Sequence, residues 1–93
     1  MIKMIDVQDN WITAIVHGRW IQAKIYNEPS TFGINNGRIS KLVISKTDGR
    51  DPDKSFLPQM AYNYDRGEDF NRIEPGLLNK IVRKLEGFPR QDF

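Results

Sequence analysis

The segment "WITAIVHGRWIQAKIY", Trp11 to Tyr26, constrains the fold more than any other part of the chain. Strand-favouring residues flank His17-Gly18-Arg19 and alternate in kind, as in a half-buried hairpin. A glycine leading a two-residue turn suits type II′, so Gly18 and Arg19 are expected to form the turn. Val16 then lies opposite Ile21, Ala14 opposite Ala23 and Ile12 opposite Ile25, and every pair on that face is apolar. The other face pairs His17 with Trp20, Ile15 with Gln22, Thr13 with Lys24 and Trp11 with Tyr26. Moving the turn by one residue sets Val16 against Arg19, so the hydrophobic pattern is expected to select the register. The aliphatic face is the predicted core. The face with two indoles, a tyrosine, a histidine and a lysine needs a different explanation.

"YNEPSTFGINNGRISKL", Tyr26 to Leu42, is a long connection for a chain of 93 residues. Asn36-Gly37 is a strong turn dipeptide, because both residues tolerate positive φ. A short hairpin pairing Ile34 with Ile39 is one expectation, with Phe32 and Ile34 folding back as a lid over one end of the core. The plainer expectation is an Ω-like loop packed by its own side chains, with Gly33 permitting a close backbone approach. "RISKLVIS", Arg38 to Ser45, reads as a third strand from its β-branched content. "SKTDGRDPDKS" is charged and punctuated by glycine and proline, and is expected to be flexible. Its Asp48, Asp51 and Asp53 lack the glycine and closing glutamate of a calcium loop. "QMAYNY", Gln59 to Tyr64, reads as a fourth strand, after which "DRGEDFN" turns the chain out. "IKMIDV" could add a short strand at the N-terminus.

"EPGLLNKIVRKLEG", Glu74 to Gly87, carries the one clear helical pattern. Pro75 suits the first helical position and Gly87 the stop, while Arg83 and Lys84 complement the dipole near the C-terminus. Leu77, Leu78, Ile81, Val82 and Leu85 make one apolar stripe, wide enough to cover one face of a small sheet. The expected fold class is therefore α+β, a single domain over residues 1–93. It has an antiparallel sheet of three to four strands with one C-terminal helix packed on one face.

Few catalytic arrangements fit these residues. With no cysteine, disulfides and thiolate metal sites are excluded. His17 is the only histidine and sits beside a turn, so it has neither a nucleophile partner nor a second metal ligand at suitable spacing. "FGINNGR" lacks the lysine-serine/threonine ending of a phosphate loop. Glu68-Asp69 lies in polar sequence with nothing apolar to raise either pKa. An enzyme is not expected, nor any metal or cofactor. No stretch approaches the roughly 18 apolar residues of a membrane span and no leader is evident, so the expected location is the cytoplasm.

Binding is the remaining class. Trp11, Trp20, Lys24 and Tyr26 share one sheet face, joining aromatic surface to positive charge as single-strand binders do. The net charge is only +2, however, and the basic residues are scattered along the chain, which weighs against nucleic acid. Arg38 and Arg66 are candidate binding residues too. The alternative is that they pair with Glu28 or Asp65 and hold the long loop against the fourth strand, since arginine favours bidentate clamps.

Trp20, Ala23, Lys24, Glu28-Pro29-Ser30, Phe32-Gly33-Ile34, Gly37 to Leu42 and Tyr64-Asp65-Arg66-Gly67 together resemble a family of small uncharacterised proteins of phages, prophages and other mobile elements. The resemblance runs from about Trp11 to Leu85. This chain departs from the pattern by its "KTDGRDPDKSFLPQ" insert and by Glu68, where the family commonly has an aromatic. The resemblance implies an accessory protein with no established catalytic residues. The leading expectation is a non-enzymatic protein binder that acts on host defence machinery. Single-stranded nucleic acid on the aromatic, basic face is the alternative, and a homodimer through that face is a third.

Overall fold

A computed structural model describes residues 2–88. Six antiparallel strands follow one another as a simple meander: β1 (Ile2–Gln8), β2 (Trp11–Val16), β3 (Arg19–Ile25), β4 (Ile39–Ser45), β5 (Met60–Asp65) and β6 (Glu68–Asn71). Among the described residues one α-helix, α1 (Pro75–Glu86), follows β6. The class is α+β as expected, but the sheet has six strands rather than three to four. The two added strands are edges, β1 turning at Asp9-Asn10 and β6 at Arg66-Gly67. An edge strand needs only one hydrogen-bonded neighbour and can leave both faces wet, so "GEDFN" pairs without an apolar alternation to announce it.

One face of the sheet carries the core. Ile12, Ala14, Val16, Ile21, Ala23, Ile25, Ile39, Leu42, Ile44 and Tyr62 are buried there with Ile81, Val82 and Leu85 of the helix. Leu77 and Leu78 are half-buried against the same cluster, so the whole predicted stripe packs inward. Neither indole belongs to this cluster. Burial pushes the Tyr62 phenol up to about 12, with the charge of Glu68 and the neighbouring Tyr64 adding to it.

The hairpin register corrects the sequence reading. Its turn is His17-Gly18, and Val16 lies opposite Arg19, Ala14 opposite Ile21 and Ile12 opposite Ala23. Moving the turn by one residue shifts the pairing by two, and a shift of two keeps every side chain on its own face. The alternation therefore could not choose between these registers; the turn chooses. His17 and Gly18 have φ of 49° and 78°, the positive pair of a type I′ turn whose twist suits a hairpin. Arg19 is tolerated on the core side because its guanidinium reaches outward, donating to the Ser45 carbonyl at 3.2 Å and pairing with Glu74 at 3.5 Å.

The connection over residues 26–38 is a closed loop with a neck, not a hairpin. Ile39 pairs with Ile25, and a short 3₁₀ turn, Ile34–Asn36, stands where the Asn36-Gly37 hairpin turn was expected. Asn35 and Asn36 both take positive φ, which asparagine tolerates better than most residues. The amides of Tyr26 and Ser30 donate to Arg38 and Gly37, drawing the two ends together. A Cβ on Gly33 would land on the Gly37 carbonyl oxygen, so the close approach needs glycine there. Ile34 is buried, but Phe32 projects outward at 57% exposure and is not a lid.

Arg38 fastens this loop to the end of the helix. Its Nε donates to the Tyr26 carbonyl at 2.8 Å, and its Nη1 donates to the carbonyls of Glu86 at 3.1 Å and Phe88 at 2.6 Å. The Glu86 carboxylate in turn accepts the Arg38 amide at 2.9 Å. Carbonyls at a helix C-terminus lack intrahelical partners, and a cation there also suits the dipole. The long loop is thus a socket for the helix end. The clamp is neither of the expected pairings with Glu28 or Asp65.

The charged connection over residues 46–59 is organised as well. Gln59 Oε1 accepts the Asp51 amide at 2.7 Å, while its Nε2 donates to the carbonyls of Asp51 and Ser55, each at 2.9 Å. Ser45 Oγ donates to the Gly49 carbonyl at 2.8 Å. These bonds carry Phe56 edge-on to Trp20, with ring centroids 6.3 Å apart, and the Arg50 guanidinium lies 4.6 Å from the Phe56 ring. A segment expected to be flexible is instead the cover over an indole. Among the described residues, no helix is long and apolar enough to cross a membrane.

Candidate functional site

The face of the sheet away from the helix is where the candidate residues lie, and the structure sorts them. Trp20 is 9% exposed, enclosed by the Phe56 loop. Trp11 and Tyr26 remain open, at 36% and 40% exposure. Lys24 lies between them, its ammonium 5.7 Å from the Trp11 ring centroid and 5.4 Å from that of Tyr26. Arg38 is engaged in the helix clamp. Arg66 lies across the sheet from Lys24, at the turn between β5 and β6.

A bulge adds a residue that the sequence did not single out. Lys24 is paired with Lys41, then Ile25 with Ile39, which leaves Ser40 as the extra residue of β4. Two lysines directly opposite each other on neighbouring strands repel. The Trp11 ring takes up part of that charge, with Lys41 Nζ 5.9 Å from its centroid, and Asp65 pairs with Lys41 at 3.7 Å. Alternation places Lys41 on this face, but only the register of β3 on β4 sets it against Lys24.

These side chains border a cleft of about 320 Å³ between the long loop and the β5–β6 turn. Lys24, Lys41 and Arg66 line it, with Tyr26, Phe32, Ser30 and Ser40. No carboxylate is among the lining residues. Tyr64 Oη donates to the Phe32 carbonyl at 2.9 Å and pins the loop wall to β5. A hollow of about 250 Å³ lies on the other side of Lys41, bordered by Trp11, Gln22, Asn63 and Asp65. The sequence made Phe32 a lid and gave Ser30 no binding role, because their places at the cleft depend on how the loop folds back over the sheet.

A second basic hollow, about 530 Å³, lies by the helix between His17, Lys80, Lys84, Ile2 and Phe88. The His17 pKa is lowered there, by burial first and then by neighbouring positive charge that includes Lys80 and Lys84. Among the described residues, no group of three or more histidine, aspartate or glutamate side chains converges as metal ligands would.

A chain built this way is a small sheet-and-helix domain with part of one sheet face left to solvent. It belongs to the family DUF7678, a domain of unknown function, whose model matches residues 10–86. That range includes everything from the first hairpin to the end of the helix and leaves β1 outside. No curated protein and no solved structure gives a significant match.

Proposed function

We propose that the chain is a non-enzymatic binding domain that takes single-stranded nucleic acid on the open face of its sheet. The supporting observation is the gathering of Lys24, Lys41 and Arg66 around one cleft beside Trp11, Tyr26 and Phe32. Scattered basic residues weighed against nucleic acid in the sequence; the fold brings three of them together. Cations that track phosphates and rings that stack on bases are the two parts such a surface needs. Titrating a labelled oligonucleotide at several salt concentrations tests the reading. Three phosphate contacts give a slope of log K against log salt of about −2. Binding that ignores salt, or none at low salt, overturns it.

A protein partner is the second reading, favoured by the other half of the same face. There Asp65, paired with Lys41, and Asp69, which accepts from Asn63 Nδ2 at 2.9 Å, add negative charge, so the whole face is mixed in charge and interleaved with aromatics. Exposed aromatics with an arginine are the composition of interface hot spots. The likeness to small phage and prophage proteins makes a host defence protein the partner under this reading. Affinity capture from bacterial lysate with wild type and Trp11→Ala separates it from the first: the variant loses a protein partner while nuclease treatment leaves capture by wild type intact.

A further inference from the structure

We infer that the cleft between the long loop and the β5–β6 turn is a pocket for a terminal phosphate, holding the phosphomonoester of one nucleotide with its base against an aromatic side chain. This rests on the nucleic-acid reading and names which part of the strand is held.

Charge is the first reason. Lys24 and Lys41 are opposite each other on neighbouring strands and Arg66 closes the third side; Asp65, paired with Lys41 at 3.7 Å, stands outside the lining. Opposed lysines repel, Asp65 and the Trp11 ring offset only part of that, and an anion between the lysines offsets more. A phosphomonoester carries up to two charges near neutral pH and an internal diester only one, so three cations around one cleft favour the end of a strand over its middle.

Size and shape give the second reason. At about 320 Å³ the cleft is at the lower end of small-molecule sites, roughly 300–1,000 Å³, which suits one nucleotide rather than a tract. Phe32, 57% exposed at the rim, contributes no core packing and presents a ring where a base would lie. The wall that carries it is fixed beforehand: the Phe32 amide donates to Ser30 Oγ at 3.2 Å and its carbonyl accepts Tyr64 Oη. Ser30 still has its own O–H to donate to a phosphate oxygen.

Arg66 gives the third. It holds φ of 57°, a left-handed conformation that glycine or asparagine adopts at lower cost. Its amide donates to the Ser40 carbonyl at 2.9 Å, so the backbone that aims this arginine is bonded to the cleft floor. An arginine in such a place is an outlier that invites a functional reading.

The experiment compares oligonucleotides of one sequence bearing a phosphate or a hydroxyl at the 5′ end, and a second pair differing at the 3′ end, by fluorescence anisotropy. Adenosine monophosphate serves as a separate ligand, followed through the amide resonances of Ser30 to Gly37 and Arg66. One phosphorylated end is expected to bind at least tenfold more tightly than its hydroxyl counterpart. Arg66→Asn, which suits the left-handed turn, is expected to abolish that difference while leaving the thermal midpoint unchanged. Equal affinity for phosphate and hydroxyl at both ends overturns the pocket even if the oligonucleotides bind well, and the broader reading then stands alone. If no oligonucleotide binds but the mononucleotide shifts those resonances in wild type and not in Arg66→Asn, the pocket holds and its ligand is a free nucleotide. Absence of both signals removes both.

Discussion

The two long connections of the sheet solve the same problem with different parts. The loop over residues 26–38 leaves β3 and serves the helix side; the loop over residues 46–59 leaves β4 and covers Trp20 on the other face. The first is shaped by backbone: Gly33 against Gly37, two asparagines at positive φ, and one arginine reaching the helix end. The second is shaped by side chains, chiefly Gln59, which reads three carbonyls and an amide, with Ser45 beside it. A backbone contact has no room to yield, whereas a side-chain hub can be lost with its loop still attached at both ends. The first loop should therefore fail globally and the second locally.

Gly33→Ala gives the sharpest test, because the added methyl meets main chain rather than a flexible tip. A loss of about 3 kcal/mol is expected, an overpacking cost with no easy relief. For a domain of this size each kcal/mol lowers the thermal midpoint by about 4–8 °C. A change within about 0.5 kcal/mol, the range of ordinary surface substitutions, would break the contrast. Arg38→Ala comes next, at about 2 kcal/mol, since it leaves carbonyls of Tyr26, Glu86 and Phe88 without their donor. Arg38→Lys should restore little of this, because one ammonium cannot span donors fixed in a fork.

Strand β5 is common to both loops, holding Tyr64 for the first and following Gln59 in the second, and Tyr62 reports on it. A phenol raised from 10.0 to about 12 in the folded state binds its proton more tightly there than when unfolded. Stability from Tyr62 is thus complete below pH 10 and is lost as pH rises towards 12, on the order of 2 kcal/mol in all. Denaturant midpoints measured across that range should fall more steeply in wild type than in Tyr62→Phe. Identical slopes would remove Tyr62 as the cause.

Gln59→Ala is expected to cost about 1 kcal/mol and to act on one side only. Indole emission should shift to longer wavelength as Trp20 loses Phe56, while the helix signal in circular dichroism stays intact. A cooperative loss of both would show the two loops to be one unit. His17→Asn is the smallest effect and has the opposite sign. Asn-Gly is the preferred type I′ dipeptide, so a gain of about 0.5 kcal/mol is expected. The same change removes the acid-side loss due to His17, whose lowered pKa holds stability above pH 6.5 and gives it up as pH falls.

Legibility followed the same division. Gly33, Asn36 and Gly37 announced a structured loop because those residue types carry backbone information by themselves. Gln59 announced nothing, since a glutamine acting on main-chain carbonyls is indistinguishable in sequence from any surface glutamine. The misjudged hairpin register has a related cause. Face membership has a period of two, and the two candidate turns differ by a register of two, so only backbone conformation at His17 could separate them. At the cleft, Lys24, Tyr26 and Arg66 stood out in the sequence, whereas Lys41 and Phe32 did not. Their places depend on the register of β3 against β4 and on a loop pinned by Tyr64.

By itself the sequence determined which side chains face inward on the first hairpin, that one helix covers them, and that no cysteine chemistry is present. Alternation and helical period are local properties, and each residue carries them wherever its element goes. Tertiary structure decided which cations meet, which indole is covered and what Arg38 holds. Those outcomes depend on strands and loops far apart in the chain arriving at the same place, and no local pattern records that distance.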